Sequence, residues 1–229
     1  MKTIGIFRSC FKEKFGIPRQ PGLTRYARGH VEMLPEFAEA DAFRGIEGFS
    51  HLWLCWVFHQ AQRETWSPTV RPPRLGGNRR LGVFATRSPF RPNALGMSVV
   101  AFDRLHQEGD RLALHVRGGD LVEGTPILDI KPYLPYSDAL PEASGGFAER
   151  KPAPLLPVRF SDAVARQLAD PNRFPEDFQA LIIDVLAADP RPAYRRKQGS
   201  RVYGVKLYQY DVKWRVEHDG AEVFQIVSC

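Results

Sequence analysis

Over the first 135 residues, short runs of apolar, β-prone residues alternate with segments rich in glycine and proline. Such runs occur at 3–8, 29–34, 50–59, 95–102, 111–116 and 127–130. Most of them are too short for a stable helix, and turn signals separate them. Many short strands of this kind are typical of a sheet that closes on itself. We therefore predict a mainly β chain with a closed or nearly closed β-barrel at residues 1–135.

The remainder of the chain has a different pattern. Residues 136–160 are rich in proline, alanine, serine and glycine, which is typical of a linker. Ser161 is a good N-cap for a first helix, and apolar residues at helical spacing predict a second helix at 178–187. Two strands, 202–212 and 223–227, are expected to follow. We therefore predict a small α+β domain at residues 161–229.

The charge favours a polyanionic partner such as RNA. The formal net charge is +6 and the pI about 9.4, with lysine and arginine concentrated at 8–28, 71–91 and 191–206. Three widely spaced cysteines show no metal-ligand spacing, so we expect no metal and reduced thiols in a cytoplasmic protein. No apolar run approaches the length of a membrane span, and the charged first residues do not resemble a signal peptide.

The segment 82–98 combines two arginines with two prolines. Arg87 and Arg91 lie four positions apart, and Pro89 and Pro92 restrict the backbone between and beyond them. Apolar runs at 83–86 and 95–102 predict a strand on each side of a rigid cationic loop. Such a loop would suit an anion or carboxylate; the alternative is a solvated turn whose arginines pair with local carboxylates.

Known nucleotide-binding fingerprints are missing from the sequence. No G-x-G-x-x-G follows a first strand, and there is no Walker loop. The glycines at 75–78 form too short a segment for a nucleotide fingerprint. A Rossmann-type methyltransferase is therefore disfavoured.

The run from Arg87 to Asn93, R-S-x-x-R-P-N, resembles the signature of the TrmO/TsaA-like family. Further segments match that family in the same order, at 11–15, 18–23, 43–53, 70–74, 124–133 and 189–194. The resemblance implies a β-barrel tRNA methyltransferase that uses S-adenosylmethionine (SAM). One departure is Cys10, where the family usually has proline.

The resemblance also implies a reaction and an assembly. The expected reaction is methyl transfer from SAM to N6 of threonylcarbamoyl-adenosine, next to the anticodon of threonine tRNA. A homodimer is expected, with the site near its interface. Two alternatives from other classes stay open: a SAM- or nucleotide-binding regulatory module that binds RNA without transferring a methyl group, and a structural RNA-binding barrel.

Carried over by matching motif, the expected SAM-binding residues come from several loops. Arg87 would pair with the methionine carboxylate, and Asp120 would accept from the amine or the ribose. The alternative for His59 is a strand-end histidine bonded to a backbone carbonyl. The full set is Pro21, Gly22, Leu23, His59, Gln60, Arg87, Asp120, Leu121, Gly124 and Thr125.

The implied reaction suggests candidates for catalysis, and clusters of basic residues that flank the motif loops suggest candidates for RNA contact. Asp189 and Tyr194 resemble the Asp-Pro-Pro-Tyr motif of other adenine-N6 methylases, although a plain helix-ending turn is the alternative. The catalytic candidates are Asp189, Tyr194 and Lys131, with Asp129 and Tyr133 as further candidates. The candidate RNA-binding residues, each of which would otherwise be a solvated surface residue, are Arg71, Arg74, Arg79, Arg80, Arg191, Arg195, Arg196, Lys197 and Arg201.

Overall fold

A closed six-stranded barrel forms the N-terminal part of the computed structural model, which describes residues 1–61, 65–192, 201–217 and 220–229. The first eight strands are β1 (Gly5–Ser9), β2 (Arg28–Met33), β3 (His51–Val57), β4 (Thr69–Val70), β5 (Leu81–Gly82), β6 (Leu95–Glu108), β7 (Arg111–Arg117) and β8 (Thr125–Pro132). The barrel order is β1-β2-β7-β6-β3-β8, and β8 pairs back onto β1. The predicted barrel is confirmed. Strands β4 and β5 form a separate two-stranded ribbon.

Alternation along the strands fills the barrel. Leu54, Val31, Leu114 and Ile127 are fully buried and pack in one cluster. Although the residues of β3 are almost all apolar, its burial alternates, since one face of every barrel strand points outward.

Gly96 lies directly against the indole of Trp56 inside the barrel. A Cβ at Gly96 would lie 2.4 Å from Cε2 of Trp56. The ring is held in place because its Nε1 donates to Ser98 Oγ at 3.0 Å. Glycine at position 96 therefore makes room for a large interior side chain.

The substitution Gly96→Ala is expected to lower the unfolding free energy by about 1–3 kcal/mol, because the new methyl group overpacks a rigid site. Urea denaturation of the two proteins measures the difference. The matched control is Gly82→Ala, where a Cβ would meet nothing within 4 Å. Equal midpoints for Gly96→Ala and Gly82→Ala would contradict the expected overpacking.

A second sheet with two packed helices forms the C-terminal part. Its elements, after the one-turn helix α1 (Pro135–Asp138), are β9 (Val158–Phe160), α2 (Asp162–Leu168), α3 (Phe178–Ala187), β10 (Tyr203–Leu207), β11 (Tyr210–Glu217) and β12 (Gly220–Ser228). The sheet order is β10-β11-β12-β9, and β9 runs parallel to β12. The predicted α+β composition is confirmed. Short 3-10 helices occur at Pro35–Phe37, Ala40–Phe43, Ile46–Gly48, Pro73–Leu75, Val83–Ala85 and Gly146–Ala148.

Local predictions in this part were partly right. Ser161 is the N-cap of α2, since its Oγ accepts from the Val164 amide at 3.4 Å. The single strand expected at 202–212 is two strands, because the chain turns at Tyr208, whose φ is 55°. The segment expected to be a linker ends in β9.

The connection between β1 and β2 belongs to both parts of the molecule. Phe11 and Cys10 are buried in the C-terminal core, together with Val205 and Leu207. The Tyr208 amide donates to the Cys10 carbonyl at 2.7 Å. Burial raises the pKa of the Cys10 thiol to about 12, so this cysteine is an unreactive core residue.

Among the residues that the structure describes, no helix combines the length and apolarity that crossing a bilayer requires. Within the same ranges, no group of three histidine, cysteine or acidic side chains is arranged to hold a metal ion.

Candidate functional site

Three connections meet at one end of the barrel, which we call the barrel mouth. Strands β1, β3 and β7 end there, and their antiparallel neighbours β2, β6 and β8 begin there, as the pairs Ser9–Gly29, Val57–Leu95 and Phe7–Thr125 show. We call the connections the first loop (10–27), the second loop (58–94) and the third loop (118–124). All the predicted SAM-binding residues lie in these loops or, for Thr125, directly after the third.

The first loop contacts the other two. The Gly22 amide donates to the Gly118 carbonyl at 2.9 Å. Arg87 Nη1 donates to Gln20 Oε1 at 2.6 Å, and Lys14 Nζ donates to the Gln60 carbonyl. The fold therefore brings together residues that lie far apart in the chain, as Gly22 and Gly118 do.

Asp120 lies at the mouth with its carboxylate oriented by an interior hydrogen-bond chain. Trp56 Nε1 donates to Ser98 Oγ, and Ser98 Oγ donates to Asp120 Oδ1. Ser98 is fully buried. Burial raises the pKa of Asp120 to about 6, although the Ser98 hydrogen bond and the charge of Arg87 act in the opposite direction. The result is an oriented carboxyl group that titrates close to neutrality.

The two arginines of the second loop have different roles. Arg91 Nε donates to the Ser88 carbonyl at 2.9 Å, and Nη2 donates to the carbonyls of Val83, at 3.2 Å, and Thr86. Arg91 therefore stabilises the loop from within. Arg87 is exposed and remains a candidate for binding an anion.

The prediction of a strand at 83–86 is wrong. Val83–Ala85 is a 3-10 helix, and only Leu81–Gly82 before it is extended in a strand. The carbonyls that a strand would have used in a ladder accept from Arg91 and from Thr86 instead. The strand expected on the other side is confirmed as the start of β6.

Two predicted SAM-binding side chains, one in the third loop and one directly after it, point into the protein. Leu121 and Thr125 are almost completely buried, and Thr125 Oγ1 donates to the Val122 carbonyl at 2.7 Å. Ser9 Oγ donates to the Leu121 carbonyl at 2.6 Å. The buried side chains of Leu121 and Thr125 therefore help to set the shape of the loop. Gly124 has a φ of 78°, which suits its turn.

The other predicted residues at the mouth are more accessible. Pro21, Leu23 and His59 are half-buried, and Gly22 and Gln60 are exposed. Burial lowers the pKa of His59, and a hydrogen bond to the Val57 backbone partly offsets this. The lowered pKa favours the neutral imidazole of His59.

The predicted catalytic residue Lys131 lies away from the mouth of its own chain. Its exposed Nζ pairs with Asp129 Oδ2 at 2.8 Å on the outer surface of β8. The residue is six positions beyond Thr125, which corresponds to about 20 Å along a strand. The structure does not bring Lys131 together with Asp120 or Arg87.

Asp189 and Arg191 form a buried ion pair with each other. The two are 3% and 5% exposed, and Arg191 Nε and Nη2 donate to the two carboxylate oxygens at 2.8 and 3.1 Å. Their predicted roles in catalysis and RNA contact stay predictions. Arg71 and Arg74 are exposed on the second loop. The predictions for Tyr194, Arg195, Arg196 and Lys197 lie outside the described residues.

The structure adds residues that the sequence analysis did not select. Ser98 orients Asp120, and Gln20 holds Arg87. A polar residue on the inward face of an otherwise apolar strand was a signal for Ser98. The contact between Gln20 and Arg87 had no sequence signal, because 67 positions separate them.

Family models cover most of the chain. Residues 6–139 match the model of the tRNA-methyltransferase O N-terminal domain, and residues 153–228 match that of the TrmO C-terminal domain.

Individual proteins agree with the family models. The chain is 49% identical over 227 residues to the tRNA (adenine(37)-N6)-methyltransferase of Escherichia coli K12, which covers 98% of this chain and 96% of that protein. It is 50% identical over 215 residues to a putative S-adenosylmethionine-dependent methyltransferase of Pseudomonas aeruginosa, RcsF, with 93% and 91% covered. The crystal structure of TrmO from Pseudomonas aeruginosa superposes with a TM-score of 0.81 at 41% identity, covering 99% of this chain and 97% of that one.

Proposed function

The chain belongs to the tRNA-methyltransferase O family, and from this premise we propose that it transfers a methyl group from SAM to N6 of adenine 37 in tRNA. The substrate we propose is threonylcarbamoyl-adenosine, next to the anticodon of threonine tRNA. The observation that carries the proposal is the barrel mouth, where three loops bring a cation and an oriented carboxyl group together. The cytoplasm, where tRNA is modified, is the proposed compartment.

The residues at the mouth fit the functional groups of SAM. Arg87 offers an exposed guanidinium for the methionine carboxylate, a pairing that is strong because both groups are charged. Asp120 offers an acceptor for the amine or the ribose hydroxyls. Around Gly22, a Cβ would meet nothing within 4 Å, so the first loop leaves room beside it. SAM supplies a methyl carbon that its sulfonium makes electrophilic.

The contribution of the chain to the reaction is mainly orientation. The N6 lone pair is delocalised, so the rate depends on an in-line approach to the methyl carbon. Arg91 and the contacts among the three loops hold the backbone around the mouth in one shape. Rigid loops reduce the entropy lost when two reactants are aligned.

We expect SAM binding to depend on the ionisation of Asp120. Its pKa is raised to about 6, so the carboxyl group is ionised above that pH and neutral below it. Because the ionised form is the acceptor, SAM affinity should fall about tenfold per pH unit below pH 6. Calorimetric titrations from pH 5 to 8 measure this dependence. The control is Asp120→Asn, which should bind SAM more weakly at pH 8 and show no change of affinity with pH. If the affinity of the wild type does not change with pH either, Asp120 does not contribute to SAM binding.

Labelled SAM tests the reaction itself. The protein is incubated with threonine tRNA that carries or lacks the threonylcarbamoyl group. Label in the modified RNA alone is the expected result. Label in neither RNA would reject methyl transfer, and SAM binding without transfer would favour the regulatory module.

The proposed homodimer would use the outer face of β3 and β6. Leu95 and Met97 are 38% and 57% exposed there, beside the partly exposed Cys55 and Val99. An apolar face of this kind on a barrel is a candidate for a second copy. Light scattering is expected to give about twice the chain mass of 25.9 kDa. A monomer at micromolar concentration would reject the dimer without affecting the proposed reaction.

A further inference from the structure

Two large aromatic side chains of the second loop lie side by side on the surface. Trp66 and Phe84 are 48% and 75% exposed. Their rings are stacked, with centroids 6.1 Å apart and planes inclined by 28°. Contiguous apolar surface of this kind is a candidate interaction site. Neither residue has a role in the SAM site described above.

The backbone that carries the pair is fixed. Phe84 is the middle residue of the 3-10 helix Val83–Ala85, whose first carbonyl accepts from Arg91. The Val83 amide donates to the Pro68 carbonyl at 3.0 Å, and the Ser67 amide donates to the Phe90 carbonyl at 3.3 Å. These bonds connect the backbone next to Trp66 with the backbone next to Phe84. The rings are therefore presented with little backbone entropy left to lose on binding.

The charge around the pair selects the kind of partner. Residues 65–102 contain no acidic residue and six arginines. Five of these arginines are exposed: Arg71, Arg74, Arg79, Arg80 and Arg87. A symmetric contact with a second copy through this surface would place arginines opposite arginines, which is repulsive. A polyanion with flat apolar groups matches both the charge and the rings.

We propose that Trp66 and Phe84 form a stacking platform for an unpaired base of the RNA substrate. Unpaired bases of RNA loops commonly stack on aromatic side chains, while nearby arginines contact the phosphates. The second loop carries both the platform and Arg87, so a base on the platform would be held close to the barrel mouth. This inference rests on the proposed function, because it assumes that an anticodon loop is the substrate.

Binding of an anticodon stem-loop tests the platform. With a fluorescently labelled stem-loop, Phe84→Ala is expected to raise the dissociation constant about tenfold, and Trp66→Ala by a similar factor. Stacking involves no counterion release, so the slope of log K against log salt should not change. The matched control Arg74→Gln should weaken binding and reduce the magnitude of that slope by about 1, the amount expected for one phosphate contact. Phe84→Trp, which keeps a flat ring, should bind as the wild type does.

Two further measurements separate this inference from its rivals. SAM affinity and the mass in solution should be the same for Phe84→Ala as for the wild type. Unchanged RNA affinity in both alanine variants would overturn the platform. A fall of the Phe84→Ala protein from dimer to monomer mass would also overturn it, because Trp66 and Phe84 would then form a contact between two copies of the chain. If the wild-type protein does not bind the stem-loop, the proposed tRNA substrate is rejected together with the platform. If the wild type and both alanine variants bind the stem-loop equally well, only the platform is rejected.

Discussion

Arg191→Met is expected to lower the unfolding free energy by about 3–5 kcal/mol, because it leaves the Asp189 carboxylate buried without its paired cation. Both side chains are almost fully buried, and the guanidinium donates to both carboxylate oxygens. For a chain of this length the loss corresponds to a fall in melting temperature of about 10 °C. Calorimetry with a reversible scan measures it.

The control for this variant is Arg201→Met, which removes an exposed cation over the neighbouring Tyr203 ring and should change stability little. SAM affinity at a temperature where both variants are folded should stay at the wild-type value. A stable Arg191→Met protein that had lost methyl transfer would support the catalytic role expected for this turn.

The second large effect is expected for Arg87→Ala, which should raise the dissociation constant for SAM about 10- to 100-fold. The loss of a charge-assisted hydrogen bond to a carboxylate costs about 1.5–3 kcal/mol. Titration calorimetry at pH 7.5 measures the change, and Arg87→Lys should recover part of the affinity because it keeps the charge.

Gln20→Ala provides a matched comparison for Arg87. Gln20 Oε1 accepts from the Arg87 guanidinium at 2.6 Å. The substitution Gln20→Ala removes this hydrogen bond and leaves the charge of Arg87 unchanged. We expect a smaller loss of affinity than for Arg87→Ala. If both variants bind SAM as tightly as the wild type, the methionine carboxylate is not held by Arg87.

The predictions from sequence succeeded where local pattern decides the structure. A short β-prone run between turn signals predicted β7, the Ser161 N-cap predicted α2, and helical spacing predicted α3. They failed where distant groups decide it. The apolar run at 83–86 favours a strand by composition, but its carbonyls accept from Arg91, and that arrangement depends on the folded second loop.

In the candidate site too, the sequence predicted what local motifs determine and missed what contacts between distant residues determine. Motif resemblance selected Arg87 and Asp120, yet only the order of strands in the barrel explains why both lie at the barrel mouth. Asp189 had a plausible motif, and its burial depends on the packing of the C-terminal core around it. The orienting role of Ser98 follows from which face of β6 points inward, and that is a property of the closed barrel.

The shared first loop bears on how the two parts of this protein have evolved. Phe11 and Cys10 lie in the core of the C-terminal part, while Ser9, the residue before them, is bonded to the barrel. A chimera joined at residues 136–160 of two relatives would therefore set a foreign pair of side chains into that core. An exchange between relatives should therefore preserve the C-terminal core best when residues 10–27 travel with the C-terminal half.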